Sequence, residues 1–120
     1  MIEFFLALLI KHYIVDMGLQ RHLSGVIDKG EYFGTGYIHY LQHGIGTIVV
    51  ALFFINWPLA VLMGALDYFL HWQIDYVKTC FTRWMNWPFG SIGWYWASTV
   101  DQMLHMTTYY ILLKIVYLPQ

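Results

Sequence analysis

The stretch KHYIVDMGLQ, residues 11–20, decides the fold, because it follows MIEFFLALLI (1–10) where an apolar helix should simply continue. His12 and Asp16 are four residues apart and Gln20 is four further on. At 3.6 residues per turn this spacing puts all three on one stripe of a helix. A helix that is apolar all round except for one ionisable stripe turns that stripe inward, toward partners able to satisfy it.

Working outward, the same signature recurs. HYLQH supplies His39 and His43, HWQID supplies His71 and Asp75 with Asp67 one turn earlier, and DQMLH supplies Asp101 and His105. Each lies in an apolar segment long enough to form a helix of about 20 residues. The segments fall near 2–20, 37–56, 58–80 and 95–118, within a single domain of 120 residues. Between the first two, RHLSGVIDKGEYFGTG reads as a loop or interfacial segment, with four glycines and mixed charges. NWP before Leu59 makes a tight hairpin, with Pro58 suited to a first helical turn. The expected fold is all-α: a four-helix bundle, up-down-up-down.

The composition is 59% hydrophobic and 11% charged, against roughly 25% charged in an ordinary soluble domain. That balance predicts a polytopic membrane bundle with the lipid bilayer as its surroundings. FTRWMNWPFGSIGWYW carries the Trp expected at a headgroup boundary. A net charge of −1 gives no reason to expect nucleic acid, and the single Cys80 forms no internal disulfide. The N-terminus lacks a basic region and a small-residue cleavage site, so it reads as a retained helix. Lys and Arg on the site-side loops (Arg21, Lys29, Lys78, Arg83) outnumber Lys114 at the other end. The bias predicts a multi-pass protein of the bacterial inner membrane, its polar layer toward the cytoplasm.

The heights of the pairs matter more than their spacing. They fall late in helices one and three and early in helices two and four, which coincide in level when helices alternate in direction. At ~1.5 Å per residue the side chains occupy one layer. Imidazole and carboxylate at i and i+4 form a two-pronged claw for a divalent cation. The expected ligands are His12, Asp16, His39, His43, His71, Asp75, Asp101 and His105. They suffice for two ions bridged by a carboxylate, zinc first, with manganese or iron also suited to such donors. Asp67, a turn deeper, is expected behind the ligands, and Gln102 beside Asp101 is expected to orient one of them. Gln20 and Lys78 lie at the mouth of the layer, either as capping and boundary residues or as contacts to an anionic group of a substrate. His22 belongs to the loop surface, and Lys11 is expected to extend along the helix surface or pair locally.

The ordered motifs H-x-x-x-D-x-x-x-Q (His12, Asp16, Gln20), a histidine opening helix two (His39 or His43), H-x-x-x-D-x-x-K (His71, Asp75, Lys78) and D-Q-x-x-H (Asp101, Gln102, His105) cover nearly the whole chain. In them the chain resembles a family of small bacterial and phage inner-membrane proteins that is defined as a domain of unknown function. It departs from the pattern at Lys11, where an apolar residue is expected, and at Met17, where an aromatic is. A looser likeness links it to membrane-bound metal-dependent hydrolases with His and Asp spread over their helices.

The residues therefore point to a metal-dependent hydrolase acting on a lipid phosphoester or similar substrate at the membrane face. Asp16 or Asp101 is expected to serve as general base. No Ser or Cys stands beside a His in a nucleophile motif. The alternative is a non-catalytic protein: an ion or proton relay, or a metal-stiffened bundle, of a size that suits a phage-encoded protein, that binds a membrane partner or a second copy of itself. A through-pathway for transport would place polar residues at mid-depth and beyond. FFLALLI, VVALFFI and ILLKIVYL offer almost none.

Overall fold

A computed structural model describes residues 1–19 and 27–118 of the chain. It is all-helical, with four α-helices and no strand among the described residues. Helix α1 runs Ile2–Tyr13 and passes directly into a π-helical turn, π1, at Ile14–Leu19. Helix α2 is Tyr37–Ala51, α3 is Trp57–Trp84 and α4 is Ile92–Val116. Local chemistry explains the starts. The Asn56 side chain accepts a hydrogen bond from the Leu59 amide at 3.2 Å, with Pro58 in the first turn of α3. Ser91 caps α4 in the same way, accepting from the Trp94 amide at 3.2 Å. The turn between α3 and α4 uses two residues of positive φ, Asn86 and Gly90.

Contacts between the helices run antiparallel. Across α2 and α3, His39 approaches Asp75, and Thr47 binds Asp67. Across α3 and α4, Lys78 approaches Asp101, and His105 binds Asp75. Helices α2 and α3 approach closely at Gly44 and Gly64, where a Cβ on Gly64 would sit 2.7 Å from the Gly44 carbonyl oxygen and collide with Ile48. Only glycine permits that approach.

The interior divides along its length. One end is apolar: Phe4, Leu8, Ala51, Ala60, Met63, Tyr109, Leu112 and Leu113 pack together. The other is polar and equally buried, holding the paired His and Asp residues. Among the described residues, ten apolar side chains are buried against eleven polar or charged ones. Many large apolar residues stand on the outside, among them Phe33, Phe53, Phe89 and Ile92.

No helix among the described residues is long and apolar enough to cross a membrane. This corrects the expectation of a multi-pass inner-membrane protein with its metal layer toward the cytoplasm. Two physical reasons lie behind it. Helix α1 has 12 residues before the π turn and α2 has 15, about 18 and 22 Å at ~1.5 Å per residue, against ~30 Å of hydrocarbon. Helices α3 and α4 have the length, at 28 and 25 residues. However, α3 carries Asp67, Asp75, Lys78 and Arg83, and α4 carries Asp101 and Lys114 beside its Thr and Gln residues. Two of the cations used to infer orientation are also engaged in pairs: Lys29 reaches Asp75 at 3.0 Å and Arg83 reaches Asp28 at 3.0 Å.

Candidate metal centre

Each helix delivers its pair to the polar end, and the π turn alters the first delivery. A π turn adds one residue to the helical repeat, and such turns concentrate at functional sites. Here it carries Asp16, whose Oδ2 lies 2.9 Å from His12 Nε2 and whose Oδ1 lies 2.8 Å from His43 Nε2. His39 Nε2 reaches the same Oδ1 at 3.2 Å. On the other side of the site, His105 Nε2 stands 3.0 Å from Asp75 Oδ1 and 3.1 Å from Asp101 Oδ1. His71 lies between, stacked on His43 with ring centroids 3.7 Å apart and on His105 at 3.8 Å. The His12 ring is 5.0 to 5.4 Å from those of His43, His105 and His71.

Among the described residues, three overlapping groups have ligand atoms within 4.8 Å of one another: His12, Asp16, His43 and His71; His39, His71 and Asp75; Asp75, Asp101 and His105. Together they comprise the same eight residues that the sequence pattern singles out. His71 belongs to the first two groups and Asp75 to the last two.

The donor set suits a cation. His39 Nδ1 and Nε2, His71 Nδ1, Asp75 Oδ2 and Asp101 Oδ1 are buried without an aligned hydrogen-bond partner, a condition rare for buried polar atoms. The close His39–Asp16 approach lacks hydrogen-bond alignment, as does the 3.0 Å approach of Lys29 to Asp75 Oδ2. Charge acts in the same sense. Burial pushes His43 down to about 2 and His71 down to about 4. Both imidazoles are thereby neutral, the form that binds metal. Burial also opposes ionisation of Asp16, but the imidazoles of His12, His39 and His43 outweigh it and hold the carboxyl far below its usual range. His105 is the exception: burial lowers it, yet the close carboxylates of Asp101 and Asp75 raise it to about 9.

Behind the donors lies a second tier. Lys11 does not extend along the helix surface; it is buried and crosses the bundle to Asp67 Oδ2 at 3.0 Å and to the Tyr109 hydroxyl at 2.8 Å. The Tyr109 hydroxyl is in turn 3.0 Å from His12 Nδ1. Asp67 also accepts from the Thr47 hydroxyl, and its Oδ1 lies 3.6 Å from His71 Nδ1, too far for a hydrogen bond. Gln102 places its Oε1 2.9 Å from His12 Nε2. Lys78 Nζ is 3.6 Å from Asp101 Oδ2 at the rim. Gln20 and His22 lie outside the described residues.

Sequence reasoning overlooked Thr47, Tyr109 and Lys29. The first two had a legible signal. Thr47 follows His43 by four and Tyr109 follows His105 by four, so each stripe simply continues one turn deeper. Lys29 had none, since its contact depends on how the segment after residue 26 folds over α3. No family model, curated protein or solved structure matches the chain.

Proposed function

We propose that the protein is a metal-dependent hydrolase built on two divalent cations, zinc foremost. The observation that carries this reading is the set of three overlapping donor groups, drawn from all four helices and retaining unsatisfied buried atoms. His12, Asp16, His43 and His71 would hold one ion; four donors complete a tetrahedral shell. Asp75, Asp101 and His105 would hold the other, and three donors leave a position open. His39 stands between the sets, 3.6 Å from Asp75 Oδ2. Bound ions supply Lewis acidity, which makes water acidic near neutral pH and offsets negative charge developing on an ester oxygen.

The chain's own residues do the rest. Asp16 is engaged by three imidazoles and serves as a ligand. Asp101 has one oxygen toward His105, where it would ligate, and the other toward Lys78 at the rim, where that second, non-ligating oxygen would accept a proton from the attacking water. Tyr109 and Gln102 orient His12, and Asp67 backs His71. The enclosing aromatic and apolar side chains exclude bulk water, which strengthens each electrostatic contact. A closed ion cluster that only stiffens the bundle is the competing reading, favoured by the completeness of the four-donor set.

Elemental analysis of the purified protein beside a His71→Ala, Asp101→Ala variant tests the ligand set. About two equivalents of one transition metal are expected in the wild type and less than half an equivalent in the variant. Metal-dependent cleavage of a p-nitrophenyl phosphodiester, lowered roughly 10²- to 10⁴-fold by Asp101→Asn, would support the base assignment. Full metal loading with no cleavage would leave the stiffening role.

A further inference from the structure

Between α3 and α4 lies a cleft of about 480 Å³, within the ~300–1,000 Å³ range of small-molecule sites. Its walls come from two stripes of the same spacing. Helix α3 contributes Ile74, Val77, Lys78 and Phe81, and α4 contributes Ala97, Val100, Asp101 and Leu104. Both follow i, i+3, i+4, i+7, the pattern of a single helix face. Two such faces in a bundle normally interdigitate; here they stand apart and leave room between them. Among the described residues, the charged ones lining the cleft are Lys78 and Asp101, each at the i+4 position of its stripe. Asp101 is also the one ligand donor on that wall, and it belongs to the three-donor group.

We propose that this cleft receives the apolar chain of an amphiphilic phosphate ester, with the ester group seated at Lys78, Asp101 and the open position of the three-donor group. The fate of the ester rests on the hydrolase reading above; binding of the chain does not. Charge complementarity selects the head. Lys78 now faces Asp101 at 3.6 Å, and a cation taking up that carboxylate leaves the ammonium free for a phosphate oxygen. The apolar walls select the tail. Among the described residues, the walls offer only Gln73 and the indole N–H groups of Trp87 and Trp96 for hydrogen bonding besides the two charged groups, so a sugar or nucleotide body would leave most of its polar atoms unpaired. The reaction balances with water alone: its oxygen forms the new P–O bond while an ester P–O bond breaks. One water proton passes to Asp101 and is returned to the departing alcohol.

The test is calorimetric titration of the zinc-loaded protein with alkylphosphonates from methyl to octyl, which bind but are not cleaved. Affinity is expected to rise about two- to four-fold per methylene until the cleft is full. Ala97→Phe, which fills the cleft one helical turn from Asp101, is expected to abolish that rise while methylphosphonate still binds. Val100→Trp serves as a second filling variant should the first not fold. Lys78→Met is expected to weaken every chain length alike. Equal affinity for methyl and octyl overturns the proposal, whatever the protein hydrolyses. So does a length dependence that survives both filling variants, since the chain would then lie on the exposed apolar surface. Length-dependent binding lost on filling, without cleavage of an octyl p-nitrophenyl phosphodiester, upholds the cleft and removes the hydrolase reading.

Discussion

Lys11 and Asp67 are the residues whose energetics are most exposed to error if treated singly. Their side chains are 6% and 1% accessible and 3.0 Å apart. Removing one leaves the other as an unpaired buried charge, at a cost of about 3–5 kcal/mol. Asp67→Leu alone is therefore expected to lower unfolding free energy by that amount in denaturant titration. Lys11→Met combined with Asp67→Leu should recover more than half of it, because an apolar pair of similar volume avoids the desolvation penalty. A double variant as unstable as the sum of the singles would mean that the two side chains are not energetically coupled. The imidazoles make a second prediction, for metal-free protein. His71 is held near 4 by burial, below the ordinary histidine value, so the unfolded chain takes up its proton first. That contribution to stability is present above about 6.5 and lost as pH falls toward 4. His105 is raised to about 9, so its contribution is present below about 6.5 and lost as pH rises through 9. Thermal midpoints measured in chelator should accordingly peak near pH 6.5 and fall on both sides.

The π turn is the element on which the site's geometry depends most. A straight α-helix through Ile14–Leu19 would still place Asp16 four residues after His12, but it would change the direction in which everything beyond Tyr13 projects. Deleting Ile14 brings Asp16 to i+3 from His12 and swings it by ~100° about the helix axis. The expected result is unchanged helical circular dichroism with metal affinity reduced at least ~10-fold in a chelator competition. Unchanged affinity would show that Asp16 is dispensable to the ion. The close approach of α2 and α3 at Gly44 and Gly64 works at the same scale, because it brings His43 and His71 within stacking distance. Nothing in the i,i+4 pattern announces a π turn, since one residue's excess leaves the pairs' spacing intact.

Across the whole molecule, the polar end replaces what would ordinarily be half of an apolar core. With eleven polar or charged side chains buried, the bundle depends on their mutual satisfaction. Metal bound to the folded state but not the unfolded one stabilises by mass action, ~2.7 kcal/mol at a hundredfold excess over Kd. Chelation is thus expected to lower the melting temperature by ~10 °C, reversed by adding back zinc and absent in the His71→Ala, Asp101→Ala variant. A melting temperature indifferent to chelator would argue against a stoichiometric ion.

The amino-acid sequence alone determined the helical class and the membership of the polar cluster. Both are local matters, since apolar runs set the helices and a repeat of four residues puts two side chains on one face whatever the partners do. It misjudged the surroundings of those helices. A high apolar fraction is a sum over the chain, while crossing a membrane requires length and apolarity in the same helix, and α1 and α2 lack the first as α3 and α4 lack the second. Only tertiary structure decided that Lys11 turns inward to Asp67, that Lys29 arrives from a distant loop at Asp75, and that α3 and α4 leave a cleft beside Asp101. Each of these depends on what a neighbouring helix or loop presents at the same height, and spacing along one strand of sequence carries no record of that.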